Sequence, residues 1–550
     1  MMQKKMFVQL DPKDNVMVAL QDLQPGMTIG SSNGANLQLT EKIPAKHKFF
    51  LKDLQKGAGI IMYGVTVGKA QQDIPAGSLM NVFNTKHAAD PYAYRGNIKR
   101  WEAPDVSYFK GRTFNGYHRS DGRVGTANYW LFIPSVFCEN RNLDVIREAL
   151  HNELGYAVSD KYKRFTRSLV NAVKEGKNFD VTDQSFFTAS DKKERLFENV
   201  DGIKFLNHQG GCGGTRQDSA VLRSLLAAYA DHPNVAGVTL LSLGCQHMQT
   251  DDFLAELKQR NPAFDKPLLV FEQQLSQSEE SLITQSIQET FKGLMQINRL
   301  RRAPAPLSDL CIGVKCGGSD GFSGISANPA VGYAADLLVA LGGKVLLAEF
   351  PELCGAEQDL LDRCVDEKTA GRFVNLMESY NKLAHDVGSG FHMNPSPGNI
   401  KDGLITDAIK SLGAVRKGGN SPVVDVLDYT EPAKKAGLSL VCTPGNDVEA
   451  TTGKAASGAT LILFTTGLGT PTGNPVCPTI KISTNTTLAN RMGDIIDIDA
   501  GKIVSGEKTI EEMGTYILEY CIEVASGNII PKAVQMNQDD FIPWKRGVSL

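Results

Sequence analysis

The chain is dominated by one repeated order of segments, in which a short apolar run leads into a glycine-rich turn and then into a helical stretch. Apolar runs without polar interruptions are typical of strands buried on both faces, and such strands occur in parallel sheets covered by helices. The pattern starts near Tyr129 and resumes at Leu310, after a proline-containing break over 301–306. It predicts an α/β fold with two domains whose sheets are mainly parallel.

The first ninety residues follow a different pattern, with apolar runs of four or five residues between Gly and Pro turns. Runs of that length between turn signals are typical of β-strands. A polar stretch dotted with aromatic residues comes next and is typical of a linker. The sequence therefore predicts a small all-β module over 1–90, a linker over 91–112, and α/β domains over 113–303 and 304–550.

Charge and composition exclude several function classes. The 58 basic and 61 acidic residues give a net charge of −3, which argues against non-specific binding to nucleic acid or to a membrane surface. No apolar stretch reaches the length of about eighteen residues that a transmembrane helix needs, and the N-terminus lacks the apolar segment of a secretory signal. The ten cysteines show no disulfide-like spacing. We therefore expect a cytoplasmic protein with reduced thiols.

Many of the 53 glycines lie in turns that directly follow apolar runs, over 208–215, 315–324, 443–446 and 465–470. In a parallel sheet such loops meet beyond the carboxyl ends of the strands, where ligands bind. Their backbone N–H groups and the adjoining helix N-termini attract anions. The alternative is a set of tight turns that need only the positive φ of glycine. Because no G-x-x-x-x-G-K-[ST] motif occurs, a carboxylate is a better candidate anion than a nucleotide.

Two further groups of residues have side chains that can bind a metal or a substrate. Cys138, Cys212, Cys245 and Cys316 each follow a strand-like run, so parallel strands would place all four at one edge, where thiolates can bind iron or another transition metal. The alternative is that these cysteines are small buried apolar residues. The turn-rich segment 116–125 contains Tyr117, His118, Arg119 and Arg123, and its two arginines can bind a carboxylate, unless the segment is a solvated loop.

Long ungapped motifs make the chain resemble the altronate/galactarate dehydratase family over nearly its whole length. The motifs are Phe114 to Tyr117, Asp121 to Arg123, Gly244-Cys245, Cys316 to Pro329, Gly355 to Glu357, Asn394 to Asn399, Ser411 to Gly413, Pro444 to Asp447, Gly467 to Pro471 and Pro478 to Asn485. The resemblance implies an N-terminal SAF-type (β-clip) module and two dehydratase domains. It also implies an Fe²⁺-dependent hydro-lyase, with Mn²⁺ as a possible substitute, that converts D-altronate to 2-dehydro-3-deoxy-D-gluconate in hexuronate breakdown.

The chain departs from the family pattern at three places. The usual His-x-His-x-His-Asn run is Leu79 to Asn84 here, and the nearby His87 stands in a different register. The usual Gly-Cys-Glu ends in Gln246, and Ala127 replaces an arginine. Galactarate and related hydroxy-acid lyases share the same framework, and a non-catalytic sugar-acid binding protein and a nicotinamide oxidoreductase remain alternatives. For a metabolic enzyme of this kind we expect a homo-oligomer without nucleic-acid or membrane partners.

Loss of water from a 2,3-dihydroxy acid needs a base for the C2 proton, an acid for the 3-hydroxyl and a Lewis acid for the carboxylate. We predict catalytic roles for His118, Tyr117 and His47, with at least a hundredfold loss of turnover on His118→Ala. The predicted metal ligands are Cys245, Cys316, Cys212 and His208. The predicted substrate contacts are Arg119, Arg123, Gly317, Gly318, Ser319, Asp320, Asn446, Asp447, Thr470 and Lys481.

Overall fold

Eight short strands form the N-terminal part of the protein. The structure is a computed structural model that describes residues 5–30, 36–96, 99–176 and 193–546. The strands pair in antiparallel sheets of order β1-β2-β5, β3-β4 and β6-β7-β8, which confirms the all-β prediction. They are β1 Phe7–Val8, β2 Val16–Ala19, β3 Thr28–Gly30, β4 Asn36–Gln38, β5 Lys48–Phe50, β6 Gly59–Met62, β7 Val65–Ala70 and β8 Thr85–His87.

A four-stranded parallel sheet of order β12-β11-β13-β14 forms the centre of the next part. Its strands are β11 Tyr129–Pro134, β12 Gly202–Phe205, β13 Val235–Ser242 and β14 Leu268–Glu272. The helices around it are α1 Asn140–Leu154, α2 Lys161–Lys174, α3 Arg216–Asp231, α4 Thr250–Arg260 and α5 Glu279–Ile297. Every residue of β11 and β13 is buried, as the uninterrupted apolar runs predict.

A small antiparallel sheet stands beside this parallel sheet. Its strands are β9 Thr113–His118, β10 Val124–Gly125 and β15 Ala303–Pro306. The order is β10-β9-β15, so the proline-containing segment predicted as a domain break is a strand that pairs with the start of the second part. Proline is tolerated there because β15 is an edge strand.

Seven parallel strands form the C-terminal sheet, in the order β18-β19-β17-β16-β20-β21-β22. The strands are β16 Cys311–Cys316, β17 Lys344–Leu347, β18 Val423–Leu427, β19 Gly437–Val441, β20 Leu461–Thr466, β21 Thr479–Ser483 and β22 Ile498–Asp499. The helices are α6 Ala327–Ala340, α7 Glu357–Leu361, α8 Glu367–Asp386, α9 Pro397–Lys401, α10 Asp407–Val415, α11 Asp447–Ala456, α12 Thr486–Arg491, α13 Gly501–Val504, α14 Ile510–Ala525 and α15 Lys532–Gln535. Both larger sheets are parallel, which confirms the α/β prediction.

The three parts pack against one another through polar contacts as well as apolar ones. The N-terminal module binds the C-terminal part where Lys48 Nζ donates to the Gly403 carbonyl at 2.7 Å. Helix α3 contacts α11 where the Tyr229 hydroxyl donates to the Thr452 carbonyl at 3.3 Å. Within the described ranges, no helix combines the length and apolarity needed to cross a membrane.

Candidate active site

The order of the seven-stranded sheet creates a crevice at the carboxyl ends of β16 and β20. From β16 the chain moves to β17 on one side, whereas β20 lies on the other side, so the connections leave in opposite directions. Such a reversal point is the common ligand site of open parallel sheets. The loops after the two strands contact each other, because Gly317 N donates to the Thr465 carbonyl and Gly467 N donates to the Gly318 carbonyl, both at 3.0 Å.

Three of the predicted glycine loops meet in this crevice. A Cβ on Gly317 would lie 2.4 Å from Asp447 Oδ2, and a Cβ on Gly318 would lie 2.9 Å from Thr470 Oγ1. Larger residues would therefore push the loops apart, and Gly318 also has a φ of +56°. Gly317, Gly318, Asp447 and Thr470 are thus neighbours, although they follow different strands of the sheet.

Lys481 on β21 lies beside this group. Its Nζ donates to the Thr470 carbonyl at 2.7 Å and lies 4.1 Å from the centre of the Phe464 ring. The side chain is buried, and burial lowers the pKa of Lys481 to about 7. A lysine with this pKa exchanges a proton near neutral pH.

Two of the predicted substrate contacts have structural partners. Asn446 Oδ1 caps α11 by accepting from Val448 N at 3.0 Å, which occupies that oxygen in helix capping. The Ser319 carbonyl accepts from Asn399 Nδ2 at 2.8 Å, and this hydrogen bond fixes the position of the loop. Both residues hold the loops of the crevice in place.

Asp320 connects the crevice to the N-terminal module. Its side chain is fully buried and accepts from Thr484 Oγ1 at 2.9 Å and from Lys46 Nζ at 3.1 Å. Lys46 also pairs with Asp402 at 3.2 Å. Burial lowers the pKa of Lys46, but the two carboxylates outweigh burial and hold that pKa above the ordinary lysine value. Lys46 is a site residue that the sequence analysis missed, since the contact joins segments far apart in the chain.

His47 follows Lys46 directly, so the predicted histidine does lie near the crevice. Its Nδ1 faces the Ala45 carbonyl at 3.2 Å, which assigns the proton to Nδ1 and leaves Nε2 as the acceptor. Burial lowers the pKa of His47 below its ordinary value. The ring is therefore neutral at neutral pH and has the form that a general base requires.

A buried cluster of charges supports the crevice from inside the protein. Lys315, on β16, pairs with Glu349 and lies 3.0 Å from Asp447 Oδ1. Lys417 Nζ lies 2.9 Å from the other oxygen of Glu349, and Lys454 Nζ lies 3.8 Å from it. The four side chains Lys315, Glu349, Lys417 and Lys454 have no exposed surface. Since Lys315 contacts both Glu349 and Asp447, the cluster holds the Asp447 loop in position.

Cys316 belongs to this cluster and not to a group of cysteines. Its Sγ lies with Glu349 and Glu352 in a group whose potential ligand atoms are within 4.8 Å of one another. Lys417 Nζ, however, lies 3.2 Å from that sulfur and Lys410 Nζ lies 2.9 Å from Glu352. These ammonium groups already neutralise the carboxylates, so the residues do not fit a metal ion. The prediction that Cys316 shares a metal site with Cys245 and Cys212 is therefore wrong, because Cys316 lies in this charged cluster and not with the other two cysteines.

Three exposed cysteines lie at the carboxyl edge of the four-stranded sheet. Cys138, Cys212 and Cys245 are exposed, whereas the remaining cysteines are buried or half-buried. Their loops bind each other: Phe137 N donates to the Gly210 carbonyl at 3.0 Å, and His247 N donates to the Gly211 carbonyl at 3.1 Å. Of the three cysteines, Cys212 lines a cavity of about 390 Å³ together with other residues of its loop. We call Cys138, Cys212 and Cys245 the thiol edge.

His208 stands next to the thiol edge but does not offer a nitrogen to it. Its Nε2 donates to the Pro134 carbonyl at 2.8 Å, and its Nδ1 accepts from Gly210 N at 3.1 Å. Burial lowers the pKa of His208 to about 4, so the ring stays neutral. Both nitrogens are engaged in the loop itself, which corrects the prediction that His208 is a metal ligand.

The predicted segment 117–123 lies at the opposite end of the strands. Arg119 Nε donates to the Pro233 carbonyl at 2.7 Å, directly before β13, and Thr126 Oγ1 donates to the Thr460 carbonyl at 2.8 Å, directly before β20. The segment is therefore next to the amino ends of both parallel sheets. A strand of six residues such as β20 is about 20 Å long, which separates this segment from the crevice.

The side chains of this segment have structural partners there. The Tyr117 hydroxyl donates to a backbone carbonyl at 3.2 Å, and the ring of His118 lies 3.1 Å from a carbonyl of β15. Arg119 donates to three backbone or side-chain oxygens, and Arg123 pairs with Asp231 at 2.7 Å. The structure thus corrects the prediction that Tyr117, His118, Arg119 and Arg123 share a pocket with the glycine loops.

This placement changes the expected effect of the His118→Ala variant. Since His118 is exposed on β9 and far from the crevice, we expect turnover within a factor of about two of the wild-type protein, in place of a hundredfold loss. Steady-state kinetics of the folded variant measures the effect. A loss above tenfold would return His118 to the active site.

The fold and the crevice define the class of protein, and comparison with known proteins agrees. The chain matches the altronate/galactarate dehydratase SAF domain over residues 5–88, the second domain of D-galactarate dehydratase/altronate hydrolase over 116–298, and the C-terminal D-galactarate/altronate dehydratase domain over 307–549. The protein belongs to the altronate/galactarate dehydratase family and is a hydro-lyase that acts on a sugar acid.

Individual relatives match nearly the whole chain. Altronate dehydratases of Bacillus subtilis and Escherichia coli are each 34% identical to it, over 99% of this chain and 100% of theirs. The galactarate dehydratase (L-threo-forming) of Escherichia coli is 32% identical over 95% of this chain and 93% of its own. The resemblance noted from sequence motifs is confirmed at the level of the family.

Proposed function

We propose that the protein dehydrates D-altronate to 2-dehydro-3-deoxy-D-gluconate in hexuronate breakdown and that it uses iron. The observation that carries the proposal is the meeting of three glycine loops with two lysines and a histidine at the reversal point of the seven-stranded sheet. A sugar acid has one carboxylate and several hydroxyls, and this set of backbone N–H groups and ammonium groups is suited to both. The identity to two altronate dehydratases supports altronate as the substrate.

Two kinds of group bind the substrate in this proposal. The backbone N–H groups of Gly318 and Ser319 face the negative charge of the carboxylate, since those of Gly317, Asp320 and residues 467–470 already donate within the loops. Lys46 belongs to the N-terminal module, and its ion pairs with Asp320 and Asp402 keep its ammonium group protonated. Because Lys46 comes from a different part of the chain, the substrate site is complete only when the N-terminal module is in place.

The proton transfers use His47 and Lys481, two groups near the crevice whose pKa values burial lowers. His47 Nε2 removes the proton from C2, and Lys481 donates a proton to the 3-hydroxyl, which leaves as water. The enol that remains takes up a proton at C3 and becomes the 2-keto acid. Both groups are in the required form only between their two pKa values, where His47 is neutral and Lys481 is protonated. The two proton transfers therefore share one pH range.

This assignment predicts the pH dependence of turnover. Burial lowers the pKa of His47, and activity falls on the acid side when His47 is protonated. Burial lowers the pKa of Lys481 to about 7, and activity falls above about pH 7 when Lys481 loses its proton. We expect a bell-shaped profile of kcat whose alkaline limb is displaced in Lys481→Arg, because arginine stays protonated. An alkaline limb that is unchanged in this variant would contradict the role of Lys481.

The exposed thiols of the thiol edge are soft donors of the kind that the iron implied by the family prefers, but their sulfur atoms do not all lie within 4.8 Å of one another, so their loops would have to move together to share one ion. Thiolates are soft ligands that select iron and related metals, and exposure of Cys138, Cys212 and Cys245 leaves them accessible. Iron held there would supply a Lewis acid for an oxygen of the substrate. Asn207, before the loop of Cys212, and Pro471, after Thr470, line one cavity of about 1120 Å³.

Iron binding at the thiol edge is testable without an activity assay. After anaerobic reconstitution of the full chain, we expect Cys138→Ser, Cys212→Ser and Cys245→Ser each to lower bound iron and the thiolate-to-iron absorbance by at least tenfold. Cys316→Ser is the matched control and is expected to keep both. Acid-labile sulfide distinguishes an iron–sulfur cluster from a single ion. Retention of iron in all three variants would contradict this ligand set.

The reaction itself is tested by incubating the iron-loaded protein with D-altronate and measuring the 2-keto acid formed. D-galactarate is the second candidate substrate, because a galactarate dehydratase is 32% identical to the chain. We expect a higher kcat/KM for altronate than for galactarate. Binding of altronate without formation of a keto acid would identify a non-catalytic binding protein. Absorbance changes with NAD(P) would identify an oxidoreductase, and either outcome overturns the proposal.

A further inference from the structure

A second group of potential metal ligands lies where the N-terminal module contacts the C-terminal part. His87 ends β8 of the N-terminal module, Cys354 follows the short helix Phe350–Leu353, and Asp407 begins α10. One ligand atom of each residue lies within 4.8 Å of the others, and His87 Nδ1 is 3.9 Å from Asp407 Oδ2. Three chain segments thus bring a nitrogen, a sulfur and an oxygen donor together.

The charges around this group differ from those around Cys316. Four lysines contact the group of Cys316, Glu349 and Glu352, whereas the charged groups that act on the Cys354 thiol are the carboxylates of Glu357 and Asp407. Negative charge beside a thiol is stabilised by a cation. The set of imidazole, thiolate and carboxylate suits a tetrahedral ion such as Zn²⁺ or Fe²⁺, with one position left for water. The His87 side chain is 27% exposed, which leaves a path for an ion to enter.

We propose that His87, Cys354 and Asp407 bind one divalent transition-metal ion, separate from the iron of the thiol edge, and that this ion fixes the N-terminal module on the C-terminal part. The consequence for the crevice follows from two neighbouring contacts. Helix α10 carries Asp407 and, one turn later, Lys410, which binds Glu352 at 2.9 Å. The N-terminal module that carries His87 also supplies Lys46 to Asp320. The ion would therefore hold Lys46 and His47 at the substrate site.

The proposal is tested with Co²⁺ as a spectroscopic probe, since a cobalt–thiolate bond gives a charge-transfer absorption. The full chain carries Cys138→Ser, Cys212→Ser and Cys245→Ser, so that the thiol edge is absent. We expect one tightly bound Co²⁺ with a thiolate charge-transfer band. Cys354→Ser should abolish the band, and His87→Ala and Asp407→Asn should weaken binding at least a hundredfold. His118→Ala is the matched histidine control and Cys442→Ser the matched cysteine control, both expected to leave binding unchanged.

Thermal stability gives a second measurement in the chain with its native cysteines. Zn²⁺ added to metal-free protein should raise the Tm. Cys138→Ser weakens the thiol edge, and the rise in Tm that persists in this variant should be lost when His87→Ala is added. A band that survives Cys354→Ser, or a zinc-dependent rise that is equal with and without His87, would overturn the proposal. Neither measurement uses altronate, so a failure of the proposed reaction leaves the test of this site unaffected.

Discussion

Replacing Glu349 by alanine is expected to lower the free energy of unfolding by about 3–5 kcal/mol, because it removes the buried carboxylate that several buried ammonium groups share. Lys315 and Lys417 both pair with Glu349, and neither has exposed surface through which water could replace it. Lys454 Nζ lies 3.8 Å from Glu349 Oε2, and among the ion pairs of the described residues this is the one carboxylate partner of Lys454. Urea denaturation of wild-type and variant protein, followed by circular dichroism, measures the difference.

The control for this prediction is Glu431→Ala, which removes an ion pair with Arg372 whose partners are 42% and 41% exposed. Solvent screens such a pair, and we expect a change below about 1 kcal/mol. Burial raises the pKa of Glu349, but the lysines outweigh it and hold that pKa well below the ordinary value. Its stabilisation is therefore present above the unfolded pKa of about 4.3 and is lost as the pH falls through the lower folded pKa. A loss below about 1 kcal/mol for Glu349→Ala would contradict this account.

The sheets and their glycine loops were predictable because their signals are local. An apolar run such as Tyr129 to Ile133 identifies a buried strand by itself, and the glycines after Cys316 identify the turn that follows it. Parallel strands then place their following loops at one edge without further information. This reasoning correctly brought Gly317, Asp447 and Thr470 together.

The contacts that depend on pairing between distant segments were not predictable in this way. The segment at 117–123 has the composition of a binding loop, but β9 pairs with β15, which places the segment at the amino ends of the parallel strands. Lys315 within an apolar run gives no sign of its partner, since Glu349 follows another strand. Lys46 reaches Asp320 only because the N-terminal module lies against the loop after β16.

The difference between local signals and long-range pairing also explains where the cysteines lie. All four that follow strands were expected at one edge, and three of them do form the thiol edge on a single sheet. Cys316 is the last residue of a strand of the other parallel sheet, so it contacts the lysines and glutamates of that sheet instead. Assignment of strands to sheets requires the long-range order that a local pattern does not contain.

Replacing Lys481 by methionine is expected to lower turnover by about 10²–10⁴-fold, because the variant lacks the acid that protonates the leaving hydroxyl. Methionine is also unbranched, and its thioether can replace the Nζ that lies over the Phe464 ring. It also removes an amine whose burial opposes its charge, so the free energy of unfolding should change little. The loss should appear in kcat, with KM for altronate changed less, since the proton is transferred in the transition state.

Lys454→Met is the matched control for this variant. Lys454 is also fully buried, and burial lowers its pKa to about 7, but it lies beside Glu349 and not beside the glycine loops. Turnover of this control should stay within a few-fold of wild type. Equal losses in the two variants would show that removing any buried lysine disturbs the sheet, and Lys481 would then have no special part in the chemistry. A large loss confined to Lys481→Met, together with an alkaline limb displaced in Lys481→Arg, would place the proton donor on β21, beside the crevice where three distant loops meet.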